Sequence, residues 1–492
     1  MRKYLSIILL SLVFLTISCR KELKYSDSPS MNISLSTDTI AFDTVFTSVG
    51  SSTRVLMIYN DNNENLKINS IRLEQGSRSP YSINVDGESG TLFKDKEIYA
   101  KDSLYVFVKV TINPNDNNNP FFVEDRLIFN TNGNENVVHL TAYGQNANYI
   151  IGRIGIFPDE NGHYTNYYYP LTDSVNKDVH WTAERPYVIY NVALIDSDGT
   201  LTIEPGTHVY FHGGAGLWAW SEGQLVVNGT AENPVVFQGD RLESFYADQP
   251  GQWDRIWLME SRAGHGHIID HAIIRNGFIG LQIQRMLKDN MEVAQITNTI
   301  IENHTGMGLY ANCYSILMQN YLIDNCGNYC VALTGGGSYL FTHGTIANYW
   351  TSSTRKAEAL FFNNLYTNPV DGQTYHVPFE CDIINSIVYG NRNEEFGTGF
   401  YPVSDTLYKF KNSLICTRRP QLSQLYESCM FNKSPKFKDP DEFDFHLDTL
   451  SPAIGIGNPC YATGIMQYDL DGVDRGSTPD AGAYQYIYVP ER

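Results

Sequence analysis

The sequence predicts an all-β chain in which an antiparallel sandwich is followed by a parallel β-helix, and three observations carry this. From about residue 186 an apolar triplet between polar corners recurs at a nearly constant interval. From residue 31 to about 147 short segments alternate apolar and polar residues, separated by Asn-, Asp- and Gly-rich breaks. No part of the repeat holds an apolar 3.6-residue period for two turns, which disfavours helical repeats.

The chain has 492 residues, long for one ordinary core but suited to a solenoid plus a second unit. It begins with Met1, Arg2 and Lys3, then a mostly apolar run from Leu5 to Ile17, then Cys19. A membrane-spanning helix needs about 20 apolar residues, so this shorter run reads as a signal peptide, residues 1–18. Residues 19–30 are polar and aperiodic and read as a flexible tether. No later apolar run approaches spanning length.

Within 31–147 the segments Arg54 to Tyr59, Leu66 to Leu73, Ser103 to Ile112, Arg126 to Phe129 and Asn136 to Ala142 alternate with period two. That pattern predicts strands with one buried face each. The breaks at Asn60 to Asn63, Asn113 to Asn119 and Asn132 to Asn134 supply turn residues. Residues 148–185, with Tyr164, Tyr167, Tyr168 and Tyr169 close together, read as a connector or N-terminal cap.

The repeat proper runs His271-Ala-Ile-Ile-Arg-Asn276, Asn298-Thr-Ile-Ile-Glu-Asn303, Asn320-Tyr-Leu-Ile-Asp-Asn325 and His343-Gly-Thr-Ile-Ala-Asn348, with start-to-start steps of 27, 22 and 23 residues. Asn364 and Asn385 continue it at steps of 21, and Asn412-Ser-Leu-Ile follows. In a coil of that period, inward aliphatic side chains stack on their equivalents above and below. Asparagine at each corner tolerates the left-handed conformation, and stacked amides can bond one another. The expected β-helix covers 186–440, with a closing segment at 441–492.

The charge balance, Lys+Arg 35 against Asp+Glu 54 for a net -19, repels nucleic acid and anionic lipid. Seven cysteines follow Cys19, an odd number, and Cys326 and Cys330 lack a second pair or suitably spaced histidines for zinc. Buried thiols inside the coil are expected.

Several stretches resemble known families. Leu15-Thr-Ile-Ser-Cys19 resembles the lipobox of bacterial lipoproteins, which implies cleavage before Cys19 and palmitate-type acylation of it. Residues 31–147 resemble the Ig-like modules found next to such anchors. Gly199-Thr-Leu-Thr-Ile-Glu-Pro-Gly-Thr207, Gly223-Gln-Leu-Val-Val-Asn-Gly-Thr230 and Pro234-Val-Val-Phe237 resemble the opening coils of Bacteroidetes-type surface lipoproteins with a right-handed, pectate-lyase-like β-helix. Ser451-Pro-Ala-Ile454, Asp469-Leu-Asp-Gly-Val-Asp-Arg475 and Pro479-Asp-Ala-Gly-Ala-Tyr484 resemble their closing segment. The resemblance implies an outer-membrane, cell-surface location and leaves activity open, since such chains include lyases, hydrolases and adhesins.

Candidate chemistry is sparse. Gly264-His-Gly-His267 resembles an element of polygalacturonase-type hydrolases, but no Asp-Asp pair precedes it. Asp469, Asp471 and Asp474 are weak calcium candidates, with glycine at the fourth place rather than the sixth that an EF-hand loop requires. No other metal or cofactor is implied. Trp218 and Trp220, with Trp253 and Trp257, offer aromatic platforms for sugar rings, or equally packing across the flank of the coil. Six Asp-Ser/Thr-aliphatic triplets, at Asp38, Asp43, Asp102, Asp173, Asp405 and Asp448, resemble a Bacteroidetes O-glycosylation motif. The leading expectation is a non-catalytic surface protein binding polysaccharide or a protein partner. A polysaccharide lyase or glycoside hydrolase, and a structural spacer of a surface assembly, are the alternatives.

Overall fold

The computed structural model describes residues 23–115, 120–158, 164–171, 178–286, 292–368, 372–401, 406–419, 422 and 424–488. The signal peptide, Cys19, Asp173 and Asp405 lie outside them. The described part is all-β, and no helix in it is long and apolar enough to cross a membrane. It divides into two compact units after Asn146.

In the first unit two sheets enclose one apolar core. One has the strand order Tyr25–Ser26, Asn65–Leu73, Phe121–Thr131, Asn134–Gln145, Thr39–Phe46, with Leu92–Ile98 also on Asn65–Leu73. The other runs Ser34–Leu35, Arg54–Tyr59, Ser103–Val110, Tyr81–Val85, Glu88–Gly90. Alternation does what the sequence suggests: Leu56, Ile58, Val106 and Val108 point inward and are fully buried, while Val55, Tyr105 and Phe107 between them face solvent. The expectation of purely antiparallel pairing needs correction. Thr39–Phe46 runs parallel to Asn134–Gln145, and Tyr25–Ser26 parallel to Asn65–Leu73. Alternation fixes which face is buried but carries no information on strand direction.

In the second unit one large parallel sheet winds almost into a closed barrel, the strands from Asp178–Trp181 to Ile268–Asp270 each pairing with the third one on. Thus Tyr187–Tyr190 pairs with His208–Phe211, which pairs with Val235–Gly239, then Ala272–Arg275. Val192–Ile195, Gly216–Ala219, Trp253–Leu258 and Gly277–Gln284 form a second such series. The first rung is Asn148–Ile151 on Tyr187–Tyr190, so the winding begins within the segment expected to be a connector. Inside, unbroken apolar ladders form the core. One runs Ile203, Val227, Ile269, Ile296, Met318, Phe341, Ile383, Phe410 in register, every member buried.

The corners obey the asparagine logic. Asn298, Asn320, His343, Asn385 and Asn412 all have φ between 48° and 58°, a region that asparagine tolerates better than most residues. Asn320 Nδ2 donates to Asn298 Oδ1 at 2.9 Å, and Asn385 Nδ2 lies 2.9 Å from His343 Nε2. A second column does the same, with Asn303 donating to Asn276 at 2.8 Å. Gly344, inside one repeat, makes room for its neighbour, since a Cβ there would sit 1.9 Å from the Tyr321 ring.

The last residues close one outward face of the coil. Phe437–Asp439 and Asp444–Leu447 form a small antiparallel pair, and Phe445, Leu447, Ala453, Ala481, Ala483 and Tyr484 pack onto the outward-pointing Leu322, Ala347, Ile387 and Leu414. The corner amides tie this segment down: Asn320 Nδ2 donates to Tyr468 O, Asn385 Nδ2 to Asn458 O and Asn412 Nδ2 to Ile456 O. The buried Arg475 donates to Asn320 Oδ1 and Ala483 O.

Candidate functional site

The described C-terminal segment does not cover a second outward face, whose residues follow from the period of two. In the strands Gly216–Ala219, Trp253–Leu258, Gly277–Gln284 and Met307–Cys326, Leu217, Ile256, Leu281 and Leu309 stack inward. Their neighbours Trp218, Trp257, Gln282 and Tyr310 therefore stack outward in register, one per coil. Leu194 precedes Trp218 in this column, and Pro170 is bridged to Leu194 before that. Trp218 and Trp257 meet edge to face at 4.9 Å, an arrangement favoured by the aromatic quadrupole.

The start of this column is a pocket. A hairpin, Ile154–Pro158 against Tyr164–Tyr168, folds over it, and the Tyr168 ring lies 4.9 Å from the Trp218 ring. Asn166, Tyr167, Tyr168 and Pro170 from the hairpin side, with Leu194, Asp196, Trp218 and Trp220 from the coil, enclose about 220 Å³. Tyr167 and Trp220 are the exposed rings, and Asp196 is the one carboxylate in the lining. The indole N–H groups of Trp218 and Trp257 are buried and donate to no described group of the protein. Rings flanked by a carboxylate and an amide suit a ligand with apolar C–H faces and many hydroxyls.

Farther along the face the polar groups are linked laterally. Arg255 Nη1 donates to Gln282 Oε1, and Gln282 Nε2 to Gln284 Oε1. The Arg255 charge is offset by Asp254 at 2.9 Å. Asn312 Nδ2 donates to the Tyr310 hydroxyl at 2.9 Å.

The structure separates the four tryptophans. Trp218 and Trp220 line the pocket, and Trp257 stands one rung beyond. Trp253 is a correction: it is 1% exposed, stacked on Phe211 at 4.3 Å, and its Nε1 donates to Arg275 O at 2.9 Å. Trp253 and Trp257, four apart, point to opposite sides, and the pairing of their strand with Gly277–Gln284 is irregular between Arg255 and Ile256. A ring inside the coil offers no face to a sugar.

The calcium candidates lie in a hydrogen-bonded turn. Asp469 is buried and accepts from the backbone N–H groups of Asp471, Val473 and Gln485. Asp471 accepts from His446, and Asp474 caps Gly476 N. The three carboxylates thus hold a turn together, and among the described residues no group of three or more His, Cys, Asp or Glu could hold a metal ion. His267 is fully buried, its Nε2 bonded to Met259 O and its Nδ1 accepting from Leu225 N, with burial lowering its pKa to about 4. It is a neutral structural group. Cys313, Cys326, Cys330, Cys381 and Cys416 are buried cysteines outside any disulfide, and Cys429 and Cys460, also outside any disulfide, are more accessible.

Tyr167, Tyr168, Asn166 and Asp196 were not singled out as site residues by the sequence. The tyrosine cluster was the available signal, because four tyrosines within six residues of a polar connector exceed what a tether needs. Asp196 carries no comparable mark.

No family model matches the sequence, and no curated protein matches it. Among solved structures, the Agl-KA catalytic domain is similar over 84% of this chain and 89% of that one, at 12% identity and a TM-score of 0.31. The catalytic domain of a family 87 α-1,3-glucanase is similar over 78% and 88%, at 10% identity and a TM-score of 0.14. A family 123 glycoside hydrolase from Clostridium perfringens, with a structure concerned with glycolipid glycan hydrolysis, is 8% identical, with a TM-score of 0.17. That match covers 23% of this chain and 26% of the enzyme, so the chain spans about a quarter of its length. At these scores none of the three bears on what the pocket does.

Proposed function

We propose that this chain is a lipid-anchored protein of the outer-membrane surface whose coil captures a glycan, without cleaving it, at the pocket between the tyrosine hairpin and Trp218/Trp220. In this reading Cys19 carries the lipid, the first unit is an Ig-like sandwich, and the second is a right-handed parallel β-helix. The observation that carries the glycan reading is the lining itself: two exposed rings, Tyr167 and Trp220, beside Asp196 and Asn166 in about 220 Å³. Stacking on C–H faces and hydrogen bonding to hydroxyls are the two interactions that sugar recognition requires. Hydrolysis of a glycosidic bond ordinarily needs two carboxylates facing across it, and this lining supplies one.

The test is electrophoresis of the chain begun after Cys19 through native gels, each cast with one polysaccharide and stained for it. Retarded migration in a neutral polymer, lost in Trp220→Ala and Tyr167→Ala, is the expected result. A cleared zone would establish an enzyme instead, and unretarded migration across a broad panel would redirect the search to a protein partner.

A further inference from the structure

We infer that the pocket receives the end of a neutral linear glycan, the rest of the chain running outward along the column Trp218, Trp257, Gln282, Tyr310. This deepens the glycan reading above and rests on it.

Four features of the face carry the assignment. The pocket is lined only from the first rungs of the column, those of Pro170, Leu194 and Trp218, and from the hairpin that precedes them. Among the described residues no rung precedes Pro170 on this face. The hairpin instead folds back over the column, and Tyr168 reaches Trp218, two rungs in from Pro170. A polymer entering the pocket therefore meets a wall on that side and cannot pass through. The pocket, about 220 Å³, has room for a sugar ring with its hydroxyls.

On the other side the column runs on in register. From the Trp218 rung to the Tyr310 rung there are three steps of about 4.8 Å, so about 14 Å of surface follows the pocket in a straight line. The half-buried rings of Trp257 and Tyr310 stand on it with the buried Gln282 between them, and the half-buried Gln284 and Asn312 lie beside them. The two rings are the side chains that can meet a chain leaving the pocket.

Charge selects the sugar. Asp196 in the pocket repels a uronate or sulfated terminus, Arg255 beside the column is already offset by Asp254, and the net charge of -19 opposes anionic polymers at long range. A neutral or amino sugar fits, its hydroxyl or ammonium groups donating to the carboxylate.

The experiment uses the wild-type chain begun after Cys19 and calorimetric titration with three probes built from the neutral polymer that retards it: linear oligomers of increasing length, the same oligomers with the reducing end converted to an alditol, and a cyclic glucan that has no ends. Linear oligomers should bind, with affinity rising until the chain covers the Tyr310 rung and then levelling off, and the cyclic form should bind at least tenfold more weakly. The alditol series tells which end enters: a tenfold loss assigns the reducing end, and unchanged affinity beside a silent cyclic form assigns the other. Equal binding of cyclic and linear forms would overturn the chain-end assignment while leaving glycan binding intact. Failure of every polymer and oligomer would overturn the glycan reading, and this inference with it.

Discussion

Two outward faces of the same coil have met opposite fates. On one, Leu322, Ile387 and Leu414 stand in register and are sealed by Phe437, Phe445, Leu447 and Tyr484. On the other, Trp218, Trp257, Gln282 and Tyr310 stand in register and no part of the described C-terminal segment packs on them. Both faces stand on parallel strands of one sheet, and they differ in side-chain chemistry. Aliphatic columns gain by being removed from water, at about 25 cal/mol per Å². Rings with polar edges and amides can remain partly wet at little cost. A solenoid leaves this choice open at every face, because its core is complete without either covering.

The comparison breaks most sharply under truncation. Phe445→Ala removes a ring that is 1% exposed from the sealed face, and should cost about 3–5 kcal/mol, read as a fall in the urea midpoint. Trp220→Ala removes a ring that is 37% exposed from the open face, and should move stability by no more than about 0.5 kcal/mol while abolishing retardation in the polysaccharide gel. Equal destabilisation by both would mean that the open face is also structural.

A second test uses a carboxyl that the covering has trapped. Asp324 follows Leu322 by two on the sealed face, is 0% exposed, and neither of its oxygens has a hydrogen-bond partner. Burial, then Glu302 in the next rung and Cys330, push its pKa well above the usual carboxylate value. The folded chain therefore holds Asp324 protonated where the unfolded chain ionises it. Below the unfolded value of 3.8 both states carry the proton and nothing is lost. As pH rises above that value the unfolded state is favoured, by up to about 1.4 kcal/mol per pH unit until the folded pKa is reached. Asp324→Asn cannot ionise, so its urea midpoint should fall less between pH 4 and pH 8 than that of the wild type. Parallel profiles would show that Asp324 is ionised in the folded chain.

How much of this was legible in the sequence depends on whether a residue repeats. The corner asparagines and inward aliphatics announce themselves because each rung restates them, and the left-handed turns at Asn298, Asn320 and Asn385 fall where the pattern put them. Features written once were lost. The strand Thr39–Phe46 escaped because Phe42 and Asp43 together oppose Ala142, with Asp43 at φ 52°, and that bulge interrupts the alternation. The inward-turned Trp253 likewise lies on a strand whose pairing is irregular. Asp196 became a site residue only because a hairpin some thirty residues earlier folds over it, a contact that no local pattern encodes.

The smallest expected effect sits at the rim of the sealed face and has the sharpest sign. His446 Nε2 bonds Asp471 at 2.7 Å and its Nδ1 bonds Asp444 at 2.6 Å, with the ring stacked on Tyr484 at 4.0 Å. Asp471 first, and then Asp444, raise its pKa above 6.5. A raised histidine stabilises fully below its unfolded value and loses that contribution as pH climbs through the folded one. His446→Gln should therefore be less stable than the wild type at pH 5, and the gap should close as pH passes above 7. Because the ring is about a third exposed, solvent screening holds the difference to about 1 kcal/mol or less. High salt should shrink it further at pH 5 and leave the alkaline limit unchanged. A gap that persists unchanged at pH 9 would instead assign the stabilisation to stacking on Tyr484, and the rim would then be held as the rest of that face is, by apolar contact rather than charge.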